Sequence, residues 1–236
     1  MDTAIDYEEL SIESLTKLAQ KDDAKALYEL GARMKEGDEV EQSDENAVTL
    51  WKKAASLGHA YAQYDLALCY EDGEGVEQSY EKAVRWYEKA AKQDCAEAQY
   101  NLALCYESGK GVEQSKEKAA YWYEKAALQG NAEAQYNLAL CYEDGEGVEQ
   151  SYEKAAYWYE KAAMQDCADA QYNLALCYED GKGVERCYEK AAYWYEKAAL
   201  QGDAEAAFNL ALCYEQGRGV PLSKEKAAYW KEKSRK

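Results

Sequence analysis

The chain has 236 residues, of which 28 are basic and 46 acidic, so its formal net charge is −18. This charge argues against nucleic acid and anionic membrane surfaces as partners, because both carry negative phosphates. A single histidine excludes a histidine relay and a multi-histidine metal site. We therefore expect no enzyme, no cofactor and no metal.

The N-terminal segment bears on localisation and on how the first repeat is covered. The start, "MDTAIDYEEL", lacks the basic and apolar regions of a secretory signal, and no apolar run reaches the roughly 18 residues of a membrane span. We therefore expect a cytoplasmic protein without membrane insertion. Leu10, Ile12, Leu15 and Leu18 predict a helix within residues 1–23 that covers the first repeat.

A strict period of 36 residues organises the rest of the chain. The copies begin at Ala24, Ala60, Ala96, Ala132, Ala168 and Ala204. A period of this length is typical of a stacked repeat protein, in which each unit buries its apolar face against its neighbours. We expect residues 24–236 to form one continuous domain with residues 1–23. Lys231, Ser234 and Arg235 are polar where earlier copies are not, which predicts a terminal repeat and a complete array.

The copy that begins at Ala132 predicts a helical hairpin. Apolar residues of "AEAQYNLALCYEDG" recur at helical spacing after a capping Asn131, and Gly145 follows where the helix should close. This stripe comprises Ala134, Leu138, Cys141 and Tyr142. Ser151 is in position to cap a second helix, "YEKAAYWYEKAAMQ", whose Trp158 we expect to fill the seam between the helices.

The glycine pair of "LALCYEDGEGV" has three possible roles. A calcium loop counted from Asp72 would need oxygen ligands at its fifth and twelfth positions, which are Val76 and Ala83. A phosphate loop would need Gly-Lys-Ser/Thr after a strand, whereas "GKGV" at Gly181 follows a helix and continues into Val184. We therefore interpret the pair as a joint between helices.

Two sequence blocks resemble the Sel1-like repeat family, relatives of the tetratricopeptide proteins. They are A-x-A-Q-Y-x-L-A-x-x-Y-x-x-G-x-G-V and K-A-A-x-W-Y-x-K-A-A, and they extend from Ala24 to the C-terminus. The resemblance implies an all-α, right-handed α/α superhelical solenoid of Sel1-like helical hairpins that serves as an adaptor or scaffold, and we expect it to be a monomer. The first copy departs from the pattern, with Glu39 in place of the second glycine and Trp51 one place late.

An S-x-x-K pattern raises an alternative function. It occurs at Ser79, Ser115, Ser151 and Ser223. Some cysteine-rich Sel1-like proteins are linked to β-lactam binding, so the alternative is a cysteine-rich Sel1-like hydrolase or β-lactam-binding protein that uses this serine as a nucleophile. Each serine, however, precedes a helix where a cap is required, and the partner motifs S-D-N and K-T-G are missing. A consensus-like or engineered array without a natural ligand is a further alternative.

The eight cysteines fall into different environments. Five share one repeat position in the expected core, namely Cys69, Cys105, Cys141, Cys177 and Cys213. Cys95 and Cys167 occupy helix N-cap positions, which lower a thiol pKa, although Asp94 and Asp166 beside them oppose this effect. Cys177 and Cys187 flank a turn and are the one pair that could form a disulfide.

The first helix of each repeat carries the expected binding residues, because related solenoids use it to line their concave side. The candidates are Tyr64, Tyr100, Tyr136, Tyr172, Asn101, Asn137, Asn173, Asn209, Glu71, Glu107, Glu143, Glu179 and Glu215. Asparagine amides can pair with an extended backbone, and the glutamates favour a basic peptide or partner protein. Six helices roughly 8–10 Å apart accommodate about 15 extended residues. The alternative is that these residues recur only because the unit was duplicated.

Overall fold

The computed structural model describes residues 5–235, which form 13 helices and no strand. The all-α class and the helical repeat are confirmed. The helices are α1 (Ile12–Ala19), α2 (Ala24–Glu36), α3 (Asp44–Ser56), α4 (Ala60–Asp72), α5 (Tyr80–Ala91), α6 (Ala96–Ser108), α7 (Lys116–Leu128), α8 (Ala132–Asp144), α9 (Tyr152–Ala163), α10 (Ala168–Asp180), α11 (Tyr188–Leu200), α12 (Ala204–Gln216) and α13 (Lys224–Lys233). Each repeat consists of an even-numbered first helix and the odd-numbered second helix after it.

The chain divides into two compact units, one ending at Ser115 and the other beginning at Lys116. In each unit, consecutive helices pack against one another, from α1 to α6 in the first and from α7 to α13 in the second. Among the described residues, no helix is both long and apolar enough to cross a membrane.

The predicted stripe of the first helix forms the core. Ala134 and Leu138 are fully buried in α8, and Cys141 and Tyr142 are almost so. Asn131 caps this helix, since its Oδ1 accepts a hydrogen bond from the backbone N–H of Ala134 at 2.8 Å. The helix ends as predicted, with Gly145 in the left-handed conformation at a φ of 74°.

The second glycine of each pair is required for packing between repeats. Gly147 has a φ of 74°, and a Cβ atom there would lie 2.1 Å from the carbonyl oxygen of Lys116 at the start of α7. The joint therefore rests directly on the second helix of the preceding repeat. In the first repeat Glu39 adopts a φ of 57° at the equivalent position. A side chain is tolerated there because no earlier repeat supplies a second helix.

The seam of the hairpin is filled by a tyrosine, so the prediction for Trp158 was wrong. Tyr159 is fully buried in α9, whereas Trp158 is only half-buried, with its ring edge-on to Tyr157 at 5.0 Å. Tyr87, Tyr123 and Tyr195 are buried in the same way as Tyr159. Position 159 faces the first helix directly, while position 158 is rotated by about 100° toward the surface.

Buried glutamines link neighbouring repeats, a feature that the sequence analysis missed. In the second unit the Gln135 amide donates a hydrogen bond to the carbonyl of Ala127 at 3.0 Å. Gln165 then donates to the side-chain oxygen of Gln135 at 2.8 Å. The glutamine of A-x-A-Q-Y therefore satisfies an otherwise orphaned carbonyl at the end of the preceding second helix.

The N-terminal segment covers the first repeat. Helix α1 begins at Ile12, because the Ser11 side chain accepts a hydrogen bond from the backbone N–H of Ser14. Leu15 is fully buried, and Leu10 and Leu18 pack against the core that α2, α3 and α4 contribute.

Candidate functional site

Buried tyrosine hydroxyls hold three of the predicted glutamates in place. The hydroxyl of Tyr87 donates to Oε2 of Glu71 at 2.7 Å in the first unit. In the second unit Tyr159 donates to Glu143 and Tyr195 donates to Glu179, each at 2.5 Å. Burial and the adjacent carboxylate raise the pKa of these hydroxyls, so they remain protonated donors. The glutamates are therefore half-buried and oriented, rather than loose at a rim.

The predicted tyrosine and asparagine join the same contact in the first unit. The ring centroid of Tyr64 lies 6.0 Å from that of Tyr87. The amide of Asn101 donates to the hydroxyl of Tyr87 at 3.2 Å. Burial raises the pKa of Tyr64, whereas a hydrogen bond with Asn101 lowers it. We call this arrangement of Tyr64, Glu71, Tyr87 and Asn101 a tyrosine cluster.

Equivalent clusters recur in the second unit. The ring centroids of Tyr136 and Tyr159 are 6.0 Å apart, and Tyr136 is hydrogen-bonded to Asn173. The ring centroids of Tyr172 and Tyr195 are also 6.0 Å apart, and Tyr172 is hydrogen-bonded to Asn209. Burial, followed by a hydrogen bond to Glu205, raises the pKa of Tyr172 to about 12. The structure thus brings together the predicted residue types, each time around a tyrosine that the prediction did not include.

The remaining predicted residues lie on the same faces of the first helices. Tyr100, Glu107 and Asn137 are half-buried, and Glu215 is exposed. Glu215 forms an ion pair with Lys231, which takes the place of the tyrosine hydroxyl donor in the last repeat.

Two cavities contain predicted residues. In the first unit a cavity of about 250 Å³ is lined by Glu71, Leu104, Cys105, Glu107, Ser108 and Lys110, and we call it the second-repeat pocket. In the second unit a cavity of about 350 Å³ is lined by Tyr172, Ala204, Glu205, Phe208, Asn209 and Ser234.

The sequence contained a signal for the central tyrosines. Each lies 16 residues after its glutamate, as for Tyr87 after Glu71 and Tyr159 after Glu143. This spacing repeats along the chain, but only the packing of the two helices shows that it brings a hydroxyl to a carboxylate.

The first repeat carries different residues at the same positions. Tyr28, Lys35, Trp51 and Asp65 stand where the next repeat has Tyr64, Glu71, Tyr87 and Asn101. They line a cavity of about 280 Å³, the first-repeat pocket, whose lining residues are Tyr28, Ala32, Lys35, Glu36, Trp51, Asp65, Leu68, Cys69, Asp72 and Glu74.

The S-x-x-K serines have the geometry of helix caps. The Oγ of Ser79 accepts a hydrogen bond from the backbone N–H of Lys82 at 3.4 Å, and Ser151 and Ser223 cap their helices similarly at 3.3 Å. The ammonium of Lys82 lies 5.2 Å from the ring centroid of Tyr70, a cation–π contact that directs its charge to the ring. This geometry supports a structural role for the motif.

The cysteine environments favour packing over reactivity. The five cysteines at the core position are buried, as predicted. Burial raises the pKa of Cys95 to about 11 and also raises that of Cys167, so it outweighs the effect of the helix N-terminus. Cys177 and Cys187 are both free thiols. Within residues 5–235, no group of three or more His, Cys, Asp or Glu side chains could hold a metal ion.

Consecutive two-helix units with a 36-residue period define a helical repeat protein. The Sel1 repeat model matches residues 24–59, 60–95, 96–131, 132–167, 168–203 and 204–234. The chain therefore belongs to the Sel1 repeat family, whose members are generally non-catalytic protein-interaction scaffolds.

Two solved structures are similar to the chain. One is a protective antigen of uropathogenic Escherichia coli with an SLR fold, 36% identical, covering 96% of this chain and 49% of that one, with a TM-score of 0.91. The chain thus spans about half of that protein's length. The other is a Sel1 repeat protein from Oxalobacter formigenes, 31% identical, covering 98% of this chain and 92% of that one, with a TM-score of 0.77. No curated protein matches the chain.

Proposed function

We propose that the protein is a non-catalytic scaffold that binds an extended, basic segment of a partner protein on the surface formed by its first helices. The observation that carries this proposal is the tyrosine cluster, which holds an aromatic ring, an amide and a carboxylate together in the repeats that begin at Ala60, Ala132 and Ala168. Ordered side chains lose little conformational entropy on binding, which favours affinity.

Charge supports a basic ligand. The carboxylates of Glu143 and Glu179 each accept a tyrosine hydroxyl through Oε2, and Oε1 of Glu179 also lies 4.0 Å from the guanidinium of Arg218. An ionised carboxylate has about four acceptor sites, so these partners leave each glutamate with capacity for a further cationic donor. A chain of net charge −18 also attracts positive segments at long range, an effect that salt weakens.

A matched pair of charge variants tests this proposal. Glu143→Gln with Glu179→Gln removes two charges from the clusters, whereas Glu149→Gln with Glu185→Gln removes two charges from exposed interhelical loops. Fluorescence anisotropy would measure the affinity of each for a lysine-rich peptide of about 15 residues. We expect only the cluster variant to bind several-fold more weakly, at constant ionic strength. Equal weakening in both variants would show that net charge alone attracts the peptide.

A second variant tests the asparagines. Asn137→Ala with Asn173→Ala should lower the binding free energy by roughly 1 kcal/mol for each lost hydrogen bond, while circular dichroism reports an intact helical fold. Unchanged peptide affinity in the folded double variant would mean that the asparagines serve the tyrosine clusters alone.

A further inference from the structure

The first-repeat pocket lies between the last turns of α2 and α4. Lys35 and Glu36 come from the last turn of α2, and Asp72 and Glu74 come from the end of α4 and the residues after it. The C-terminal end of a helix carries a partial negative charge from its aligned peptide dipoles, so two such ends favour a cation between them.

The side chains of the pocket reinforce this polarity. It contains one lysine and four carboxyl groups, and the lysine is already paired, since Lys35 lies 3.3 Å from Asp44 and forms an ion pair with Glu74. Asp65 and Asp72 are seven residues apart, two turns of α4, so they lie on one face of the helix. Their carboxyl groups therefore line the same wall.

Asp65 is the residue most in need of a cation. It is half-buried, and its hydrogen bond comes from the hydroxyl of Tyr28, which is a neutral donor. Burial raises the pKa of Asp65 to about 6, and the Tyr28 hydrogen bond offsets this only in part. A bound positive charge would compensate the desolvation of this carboxylate.

We propose that the first-repeat pocket binds a single arginine side chain of the partner, with Asp65 as its principal carboxylate. The volume of about 280 Å³ lies at the lower limit for small-molecule sites and fits one side chain rather than a larger ligand. Arginine is favoured over lysine because its planar guanidinium carries five donors and can lie against an aromatic ring. Trp51 lines the pocket together with Tyr28, whose ring stacks on His59 at 4.6 Å between centroids.

This inference rests on the proposed function, since the arginine belongs to the bound segment, but it can be tested separately. The probes are Nα-acetyl-arginine amide, the corresponding lysine amide and the neutral citrulline amide. Nuclear magnetic resonance would follow the indole N–H signal of Trp51, assigned with a Trp51→Phe variant. The test variant is Asp65→Asn, which installs the residue found at 101, 137, 173 and 209 and should fold. The control, Asp144→Asn, removes one exposed carboxylate from the equivalent of Asp72 in the second unit.

We expect the arginine amide to shift the Trp51 signal saturably in the wild type and in Asp144→Asn, and to bind Asp65→Asn roughly ten-fold or more weakly. Citrulline should cause no saturable shift. Equal binding of citrulline, or unchanged binding in folded Asp65→Asn, would overturn the site, and equal binding of lysine would overturn the choice of a guanidinium. Failure of the long peptide to bind, with the arginine amide still bound, would refute the proposed function and leave the pocket intact.

Discussion

The first-repeat pocket and the second-repeat pocket occupy equivalent places in consecutive repeats, yet they differ in charge and in their lining residues. The first pocket is lined by one lysine and four carboxyl side chains, and the second is lined by one lysine and two carboxyl side chains. Lys35 and Glu74 in the first correspond to Glu71 and Lys110 in the second, so the signs are exchanged. A repeated backbone can therefore present different chemistry at one position.

The difference between the two repeats extends into their packing. Trp51 replaces the central tyrosine, and its indole N–H donates to the carbonyl of Tyr28 at 3.1 Å rather than to a glutamate. Gly31 lies beneath it where the next repeat has Ala67, and a Cβ atom at Gly31 would lie 2.5 Å from Nε1 of Trp51. The larger ring of Trp51 is therefore accommodated by the missing side chain at Gly31.

The largest expected effect concerns the glycine that the first repeat lacks. Gly147→Ala should lower the free energy of unfolding by roughly 2–4 kcal/mol, because the new Cβ meets the Lys116 carbonyl and the residue has positive φ. Gly130→Ala is the control, since it has positive φ but no atom within 4 Å. Urea denaturation would measure both. A loss no greater than that of the control would show that the joint can move away from α7.

The second prediction concerns the compensating pair. Gly31→Ala should lower the free energy of unfolding by roughly 1–3 kcal/mol through overpacking, although alanine normally favours a helix over glycine. Adding Trp51→Tyr recreates the pair found as Ala67 and Tyr87, and should recover most of the loss. A double-mutant cycle measured by urea denaturation should give a coupling of roughly 1–3 kcal/mol. Additive effects would mean that Gly31 and Trp51 vary independently.

The third prediction concerns the pH dependence that Asp65 introduces. The charged groups that face or border it are Lys35, Glu36, Asp44, Asp72 and Glu74, with the hydroxyl of Tyr28 as hydrogen-bond donor. The folded pKa of Asp65, about 6, exceeds the unfolded value of about 3.9, so folding opposes its ionisation. Its destabilising contribution is fully present above pH 6 and disappears as the pH falls toward 4.

Asp65→Asn should therefore be more stable than the wild type at pH 7, by up to about 3 kcal/mol. The difference should vanish near pH 4. Thermal or urea unfolding of both proteins across this range would measure it. A difference in stability that stays constant from pH 4 to pH 7 would contradict a raised pKa for Asp65.

The smallest expected effect is the reverse of the first. Glu39→Gly installs the missing glycine in the first repeat, where the left-handed backbone of Glu39 is strained. Relief of this strain is opposed by the loss of the ion pair with Arg33 at 3.5 Å and by the greater entropy of an unfolded glycine. We expect a change in the free energy of unfolding within about 1 kcal/mol, measured as a shift in the urea midpoint. A larger stabilisation would show that the strain dominates.

Local periodicity in the sequence was sufficient to predict the helical repeat. Ala134, Leu138, Cys141 and Tyr142 are the buried stripe, and Asn131 and Gly145 delimit the helix, because caps and amphipathic spacing act within a few residues. The interhelical role of the glycine pair followed from the same local rules. The candidate tyrosines, asparagines and glutamates were also identifiable, as residues outside the stripe that recur in each repeat.

Only the tertiary structure decided how those residues are used. Whether Tyr159 or Trp158 fills the seam depends on the rotation of α9 against α8, which a short amphipathic pattern does not define. The bond from Tyr87 to Glu71 joins different helices, and the pocket beside Asp65 is lined by residues of α2, α3 and α4. Hydrophobic spacing determines the helices, but contacts between side chains on separate helices depend on their distance and orientation after packing.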